Sequence, residues 1–121
     1  MPATTLYSAD DKFPQTSVQA NDLLILSSTD ELFNHVDEDL PMWAGEGDRE
    51  VVVDILFQTP FLKTPAILLN VVGIDSAHDQ NLRYVVNATN ITSKGFSIQF
   101  KTWGDTHIAR ASVSWQATGL V

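Results

Sequence analysis

The chain has 121 residues and a mass of 13.4 kDa; 44% of the residues are hydrophobic, 9% aromatic and 18% charged, which fits one compact domain and excludes intrinsic disorder. Seven Lys and Arg against fifteen Asp and Glu give a formal net charge of -8, which opposes attraction to nucleic-acid phosphates and to anionic lipid, so neither partner is expected. Zero cysteines exclude disulfides, Cys-ligated zinc and thiol catalysis together.

Residues 1–20 are polar and read as a loose arm. Met1-Pro2-Ala3-Thr4-Thr5 lacks the basic start and apolar stretch of a secretory signal, and no run approaches the roughly 18 apolar residues of a membrane span. A soluble protein without membrane insertion is therefore expected, cytoplasmic or exported by an unconventional route. Leu23-Leu24-Ile25-Leu26 reads as a short strand buried on both faces or lying at a subunit contact. Ser28-Thr29-Asp30-Glu31 has the form of a capping box, and with Leu32 and Phe33 it predicts a turn or two of helix before Pro41. Residues 1–54 hold 12 acidic and 2 basic side chains, residues 55–121 only 3 acidic and 5 basic. That asymmetry describes either a solvated acidic rim or complementary faces of neighbouring subunits.

The next run alternates, with Val51, Val53, Ile55 and Phe57 on one face and Asp54 on the other. Thr59-Pro60 and Thr64-Pro65 bracket a turn, because proline removes a ladder donor and restricts its predecessor. Further strands are expected over Ala66 to Val72, Leu82 to Thr89, Gly95 to Trp103 and Ile108 to Ala117. The last sets Ala109, Ala111, Val113 and Trp115 against Arg110, Ser112, Ser114 and Gln116. Short strands separated by turns at this spacing indicate an all-β antiparallel sandwich.

No nucleophile elbow and no glycine-rich phosphate loop occurs, so neither a hydrolytic triad nor a nucleotide is expected. Glu46 with Asp48 or Glu50 is the nearest carboxylate cluster for a glycoside hydrolase, though a solvated acidic loop explains it more simply. Asp75, His78 and Asp79 share one loop, but such a polar turn usually means only surface; no metal and no cofactor is expected. The sequons at Asn87 and Asn90 matter only in a secretory lumen. Trp103-Gly104-Asp105-Thr106-His107 is different, for it puts a tryptophan at a strand end beside a turn rich in donors and acceptors. Sugars require this pairing: an aromatic face covers the apolar C–H patch of the ring, and charged groups bond its hydroxyls. Arg83, at a strand start, is the matching cation; the plainer reading of the same residues is that Trp103 caps one end of the core and Arg83 pairs with a surface acid.

From about Asp48 to Gly119 the sequence resembles the H-type lectin domain, the carbohydrate-binding module of snail agglutinins and of the C-terminal half of slime-mould discoidins. The resemblance is carried in order by Phe57-Gln58-Thr59-Pro60-Phe61, Thr64-Pro65, Asn81-Leu82-Arg83, Gly95-Phe96, Thr102-Trp103-Gly104-Asp105-Thr106 and Val113-Ser114-Trp115. It implies a non-enzymatic, six-stranded antiparallel β-sandwich that forms a homotrimer and binds galactose- or N-acetylgalactosamine-type glycans near subunit contacts. Residues 1–40 then form an N-terminal extension, an extra arm or strand packing on or across subunits, and residues 41–121 the sandwich itself. Arg83 matches the arginine that bonds sugar hydroxyls and Trp103 the pocket tryptophan. Asp48 is the better match to the acidic contact and Glu46 the alternative.

Some members carry a histidine directly after the tryptophan and a tyrosine six positions after it, where this chain has Gly104 and Ala109. His107 either replaces that imidazole from the same turn or faces solvent. The candidate carbohydrate-binding set is thus Asp48, Arg83, Trp103, Gly104 and His107. The alternative function is a structural or cell-adhesion sandwich that has lost the sugar pocket.

Overall fold

The computed structural model describes residues 3–8 and 12–121. Its elements run β1 (Ala3–Ser8), β2 (Thr16–Ala20), β3 (Leu23–Asn34), α1 (Pro41–Ala44), β4 (Arg49–Leu56), β5 (Ala66–Ser76), β6 (Val85–Thr89), β7 (Gly95–Thr102) and β8 (Ile108–Leu120). Two four-stranded sheets face each other, in the orders β1-β4-β7-β6 (sheet 1) and β2-β3-β8-β5 (sheet 2). All pairings are antiparallel except β1 on β4.

The expected β-sandwich is present, with eight strands rather than six. Both additional strands lie in the polar N-terminal stretch read as a loose arm. Apolar periodicity could not reveal them, because each is an edge strand that buries little: every residue of β2 is exposed and β1 is at most half-buried. Main-chain pairing holds them instead, β1 on Arg49–Asp54 and β2 through an Asn21-Asp22 hairpin in which Asn21 takes φ 54°.

The helix expected after Ser28 is also absent, since β3 runs straight through it to Asn34. The capping groups have other partners. Ser28 donates to the Pro14 carbonyl at 2.8 Å, and Asp30 accepts the Phe13 N–H at 3.0 Å and the Glu31 N–H at 2.7 Å. A bulge between Glu31 and Phe33 then turns two consecutive residues, Leu32 and Phe33, into the core. Adjacent buried apolar residues look helical in sequence; here the bulge produces them. The helix lies later, as the single turn Pro41–Ala44 with proline in its first turn.

Inward residues of the sheets form one core: Leu24 and Leu26 of β3, Val51, Val53 and Ile55 of β4, Ile98 and Phe100 of β7, and Val113 and Trp115 of β8. Each such side chain contributes about 1.5–3 kcal/mol when fully buried. His35 is buried with them. Its Nδ1 accepts the Met42 N–H at 3.1 Å, so the ring proton sits on Nε2, 3.3 Å from the Tyr7 hydroxyl to which it donates. One neutral imidazole thereby ties β1 to α1. The outer face of sheet 2 is uncharged at one end, with Leu23, Ile25, Ser27 and Thr29 of β3, Ser114, Gln116 and Thr118 of β8, and Leu68, Asn70 and Val72 of β5, and charged at the other, with Glu31, Arg110 and Asp75.

Candidate functional site

Strand register brings three of the sequence-selected residues into a row. The β4–β7 pairing places Arg49 opposite Thr102, so one residue further Asp48 stands level with Trp103. The β6–β7 pairing places Val85 opposite Lys101, so two residues further Arg83 is level with Trp103 from the other side. Continued past the strand ends, the two registers put Asp48, Trp103 and Arg83 in a row across the end of sheet 1, with Arg83 outside the lining of the pocket there. Asp48, Glu50, Lys101 and Trp103, over Arg49 and Thr102, line a pocket of about 220 Å³. Trp103 is 41% exposed, one large aromatic with its surface in water.

Arg83 is held from below. Nη1 donates to Asp105 Oδ1 at 2.6 Å and to the Thr106 hydroxyl at 3.0 Å, while the Thr102 hydroxyl donates to the Arg83 carbonyl. The Thr106 hydroxyl in turn donates to the Asn81 carbonyl at 2.6 Å. Among the described residues nothing bonds the Nε–Nη2 edge, so the guanidinium offers a two-pronged donor to a ligand. The hydrogen bond from Arg83 holds the Asp105 carboxyl below the usual carboxylate range, and the exposed turn keeps its negative charge.

Gly104 is required by this arrangement on two counts. It has φ +68°, and a Cβ there would lie 3.2 Å from Arg83 Nη1 and 3.4 Å from its central carbon. A side chain at this position would press on the end of Arg83, which would have to shift by a few tenths of an ångström. Gly104→Ala is expected to lose about 1–2 kcal/mol in urea unfolding, the cost of a left-handed L-residue; an unchanged midpoint would show that the turn adapts freely.

His107 stands apart from the row. Nε2 lies 2.9 Å from Glu46 Oε1, the ring meets Trp43 edge-on at 6.3 Å, and the backbone N–H donates to Gln80 Oε1 at 2.8 Å. It neither lines the pocket nor points freely into solvent. Glu46 is accordingly taken up by His107, whereas Asp48 lies beside Trp103. Ala109 is buried, so the position of the related tyrosine presents no group to a ligand.

Sequence reading missed Arg49, which is 2% exposed. Nε donates to Gly47 O at 2.9 Å, Nη1 to Pro41 O and Met42 O at 3.2 Å, and Nη2 to Gly104 O at 3.1 Å. Burial pulls its pKa down, opposed by the nearby Glu46 charge. An arginine opening a half-buried strand carries no pattern that distinguishes it from a surface residue; only the fold reveals its partners. Among the described residues no group of three or more His, Asp and Glu converges on a metal-sized site, and Asp75 pairs instead with Arg110 at 3.4 Å. No helix of the described residues is long and apolar enough to cross a membrane.

Comparison with known proteins identifies the family and the fold. The family signature described as the H-type lectin domain matches residues 52–118. "ATP synthase subunits region ORF 7" of Fuscovulum blasticum is 44% identical over 90 residues, covering 74% of this chain and 78% of that one. Discoidin-1 of Dictyostelium discoideum is 39% identical over 77 residues, 63% of this chain but only 30% of the relative. Among solved structures, discoidin II of the same organism superposes with a TM-score of 0.70 at 22% identity, over 86% of this chain and 40% of that one. An R1-type pyocin tail fibre superposes with a TM-score of 0.51 at 12% identity, over 88% and 85% of the two chains. At these identities the structural matches speak for the fold alone.

Proposed function

Because the chain belongs to the H-type lectin family of non-enzymatic carbohydrate-binding modules, we propose that it binds galactose- and N-acetylgalactosamine-type glycans at the end of sheet 1 and acts as a homotrimer. The row Asp48–Trp103–Arg83 is the observation that carries this reading. Trp103 offers its face to the apolar side of a sugar ring. The uncommitted Arg83 edge donates to two neighbouring hydroxyl oxygens, and the Asp48 carboxylate accepts from a third hydroxyl across the tryptophan. Gly104 lets Arg83 lie flat, and the Glu46–His107 pair borders the site. With both a cation and acids present, a neutral polyol suits it better than a charged ligand.

Such a shallow site is weak alone, of order millimolar for one monosaccharide. Multivalency supplies the working affinity, since a second and third site on one particle raise avidity by about 10²–10⁴. The uncharged half of the outer face of sheet 2, around Leu23, Ile25 and Leu68, supports self-association, as interface cores are depleted in charge. Gly104 and Ala109 favour a second reading, a structural or adhesion module without a sugar pocket, because neither offers a side chain where relatives have one.

A glycan-array screen with light scattering on the same sample separates the two. The expected result is a trimer that binds galactose- or N-acetylgalactosamine-terminated glycans and is released by free sugar. A folded trimer that binds no glycan would sink the lectin reading and leave the structural one.

A further inference from the structure

The most deeply buried cation of the described residues makes all its hydrogen bonds to main-chain carbonyls. Arg49 bonds four of them in three segments: Pro41 and Met42 of α1, Gly47 in the loop that carries Asp48, and Gly104 in the turn that carries Arg83's support. Gly104 O is shared, for it also accepts the Gly47 N–H at 2.9 Å. A side chain that only filled space here needs no charge, and a buried cation is costly unless its donors are met. The planar five-donor fork of arginine can reach three segments at once; the single ammonium of lysine cannot. Gly45 fits the same clamp, as a Cβ on it would stand 2.8 Å from Pro41 O and 3.0 Å from Arg49 Cδ.

We propose that Arg49 is a positioning residue of the carbohydrate site: it holds the 45–48 loop against the 103–107 turn and so sets the spacing of Asp48 and Arg83 on either side of Trp103. This inference rests on the lectin reading for its consequence in binding, while the clamp itself can be observed without sugar. Arg49→Lys, Arg49→Met and, as a core variant remote from the site, Val53→Ala are compared with wild type. Two readouts are taken by NMR: titration with free N-acetylgalactosamine and galactose, and hydrogen exchange of the Gly47 amide.

Arg49→Met is expected to lose about tenfold or more in sugar affinity, since spacing errors of an ångström are costly in a preorganised site, and Arg49→Lys to fall between it and wild type. Val53→Ala should lower thermal stability yet keep wild-type affinity. Gly47 exchange should accelerate in both Arg49 variants beyond any change in Val53→Ala. Should Arg49→Met not fold, Arg49→Lys carries both arms. Wild-type affinity in the Arg49 variants, or an equal affinity loss in Val53→Ala, overturns the positioning role. Gly47 exchange no faster than in Val53→Ala overturns the clamp even if wild type binds neither sugar, an outcome that separately removes the lectin reading.

Discussion

Arg83→Ala is expected to abolish glycan binding and leave the sandwich folded. The side chain lies on the surface, 29% exposed, and its Asp105 partner is 64% exposed, so the lost ion pair costs little stability. Thr106 keeps its bond to the Asn81 carbonyl and is not orphaned. The ligand loses far more. A hydrogen bond from a charged donor is worth about 1.5–3 kcal/mol, so removing two costs roughly a hundredfold or more in affinity. Starting from a weak single site, that leaves no measurable binding, and avidity multiplies the loss at every site of an oligomer. Titration with free sugar, with circular dichroism as the folding control, checks the result. Full binding by a folded Arg83→Ala protein would place the sugar elsewhere. Arg83→Lys should rescue only in part, because a point charge cannot reproduce two parallel donors.

Acid should destabilise the fold through one residue. Burial, with the Lys12 charge adding to it, lowers the His35 pKa from 6.5 to about 4. Above pH 6.5 neither the folded nor the unfolded chain carries the proton, and stability is at its maximum for this group. As pH falls the unfolded chain takes up the proton while the folded chain refuses it, so stability declines until about pH 4 and this contribution then levels off. At 1.36 kcal/mol per unit, the loss between pH 7 and pH 4.5 is about 2.5 kcal/mol. Protonation also destroys the Nδ1 acceptor of the Met42 N–H, which ties the effect to the link between β1 and α1. Urea unfolding of wild type and His35→Asn at the two pH values measures it. The variant cannot bind the proton, so its pH-dependent loss should be smaller by that amount; equal losses in both proteins would refute the assignment.

Strand alternation was legible wherever one face is buried. Val51, Val53, Ile55 and Phe57 are core as the pattern requires, and Ala111, Val113, Trp115 and Ala117 of β8 likewise. Where an edge strand buries little, as β2 does throughout and β1 does apart from Tyr7, side chains carry little record of its pairing. Ser28 to Phe33 misled for a different reason: the capping motif is local, whereas Pro14 and Phe13, which claim its polar groups, arrive from a separate segment. The candidate site divides in the same way. Arg83 and Trp103 stand out as the rare cation and the aromatic beside polar turns, and register sets them side by side. Arg49 could not be read ahead of the fold, since its partners are carbonyls, which every residue possesses.

The position of β8 governs the order in which the molecule can assemble. It is the last strand, yet it occupies the middle of sheet 2, with β3 and β5 on either side and Leu23 opposite Leu120. On a ribosome, β3 and β5 must therefore wait with these edges unpaired until β8 has emerged. Closing so long a loop is slow, because its entropy is lost before any contact compensates. Sheet 1 has no such delay beyond β7, and it can pair first and serve as the template. Substitutions in β8 should accordingly act on the rate of folding and on aggregation during synthesis as much as on the finished protein.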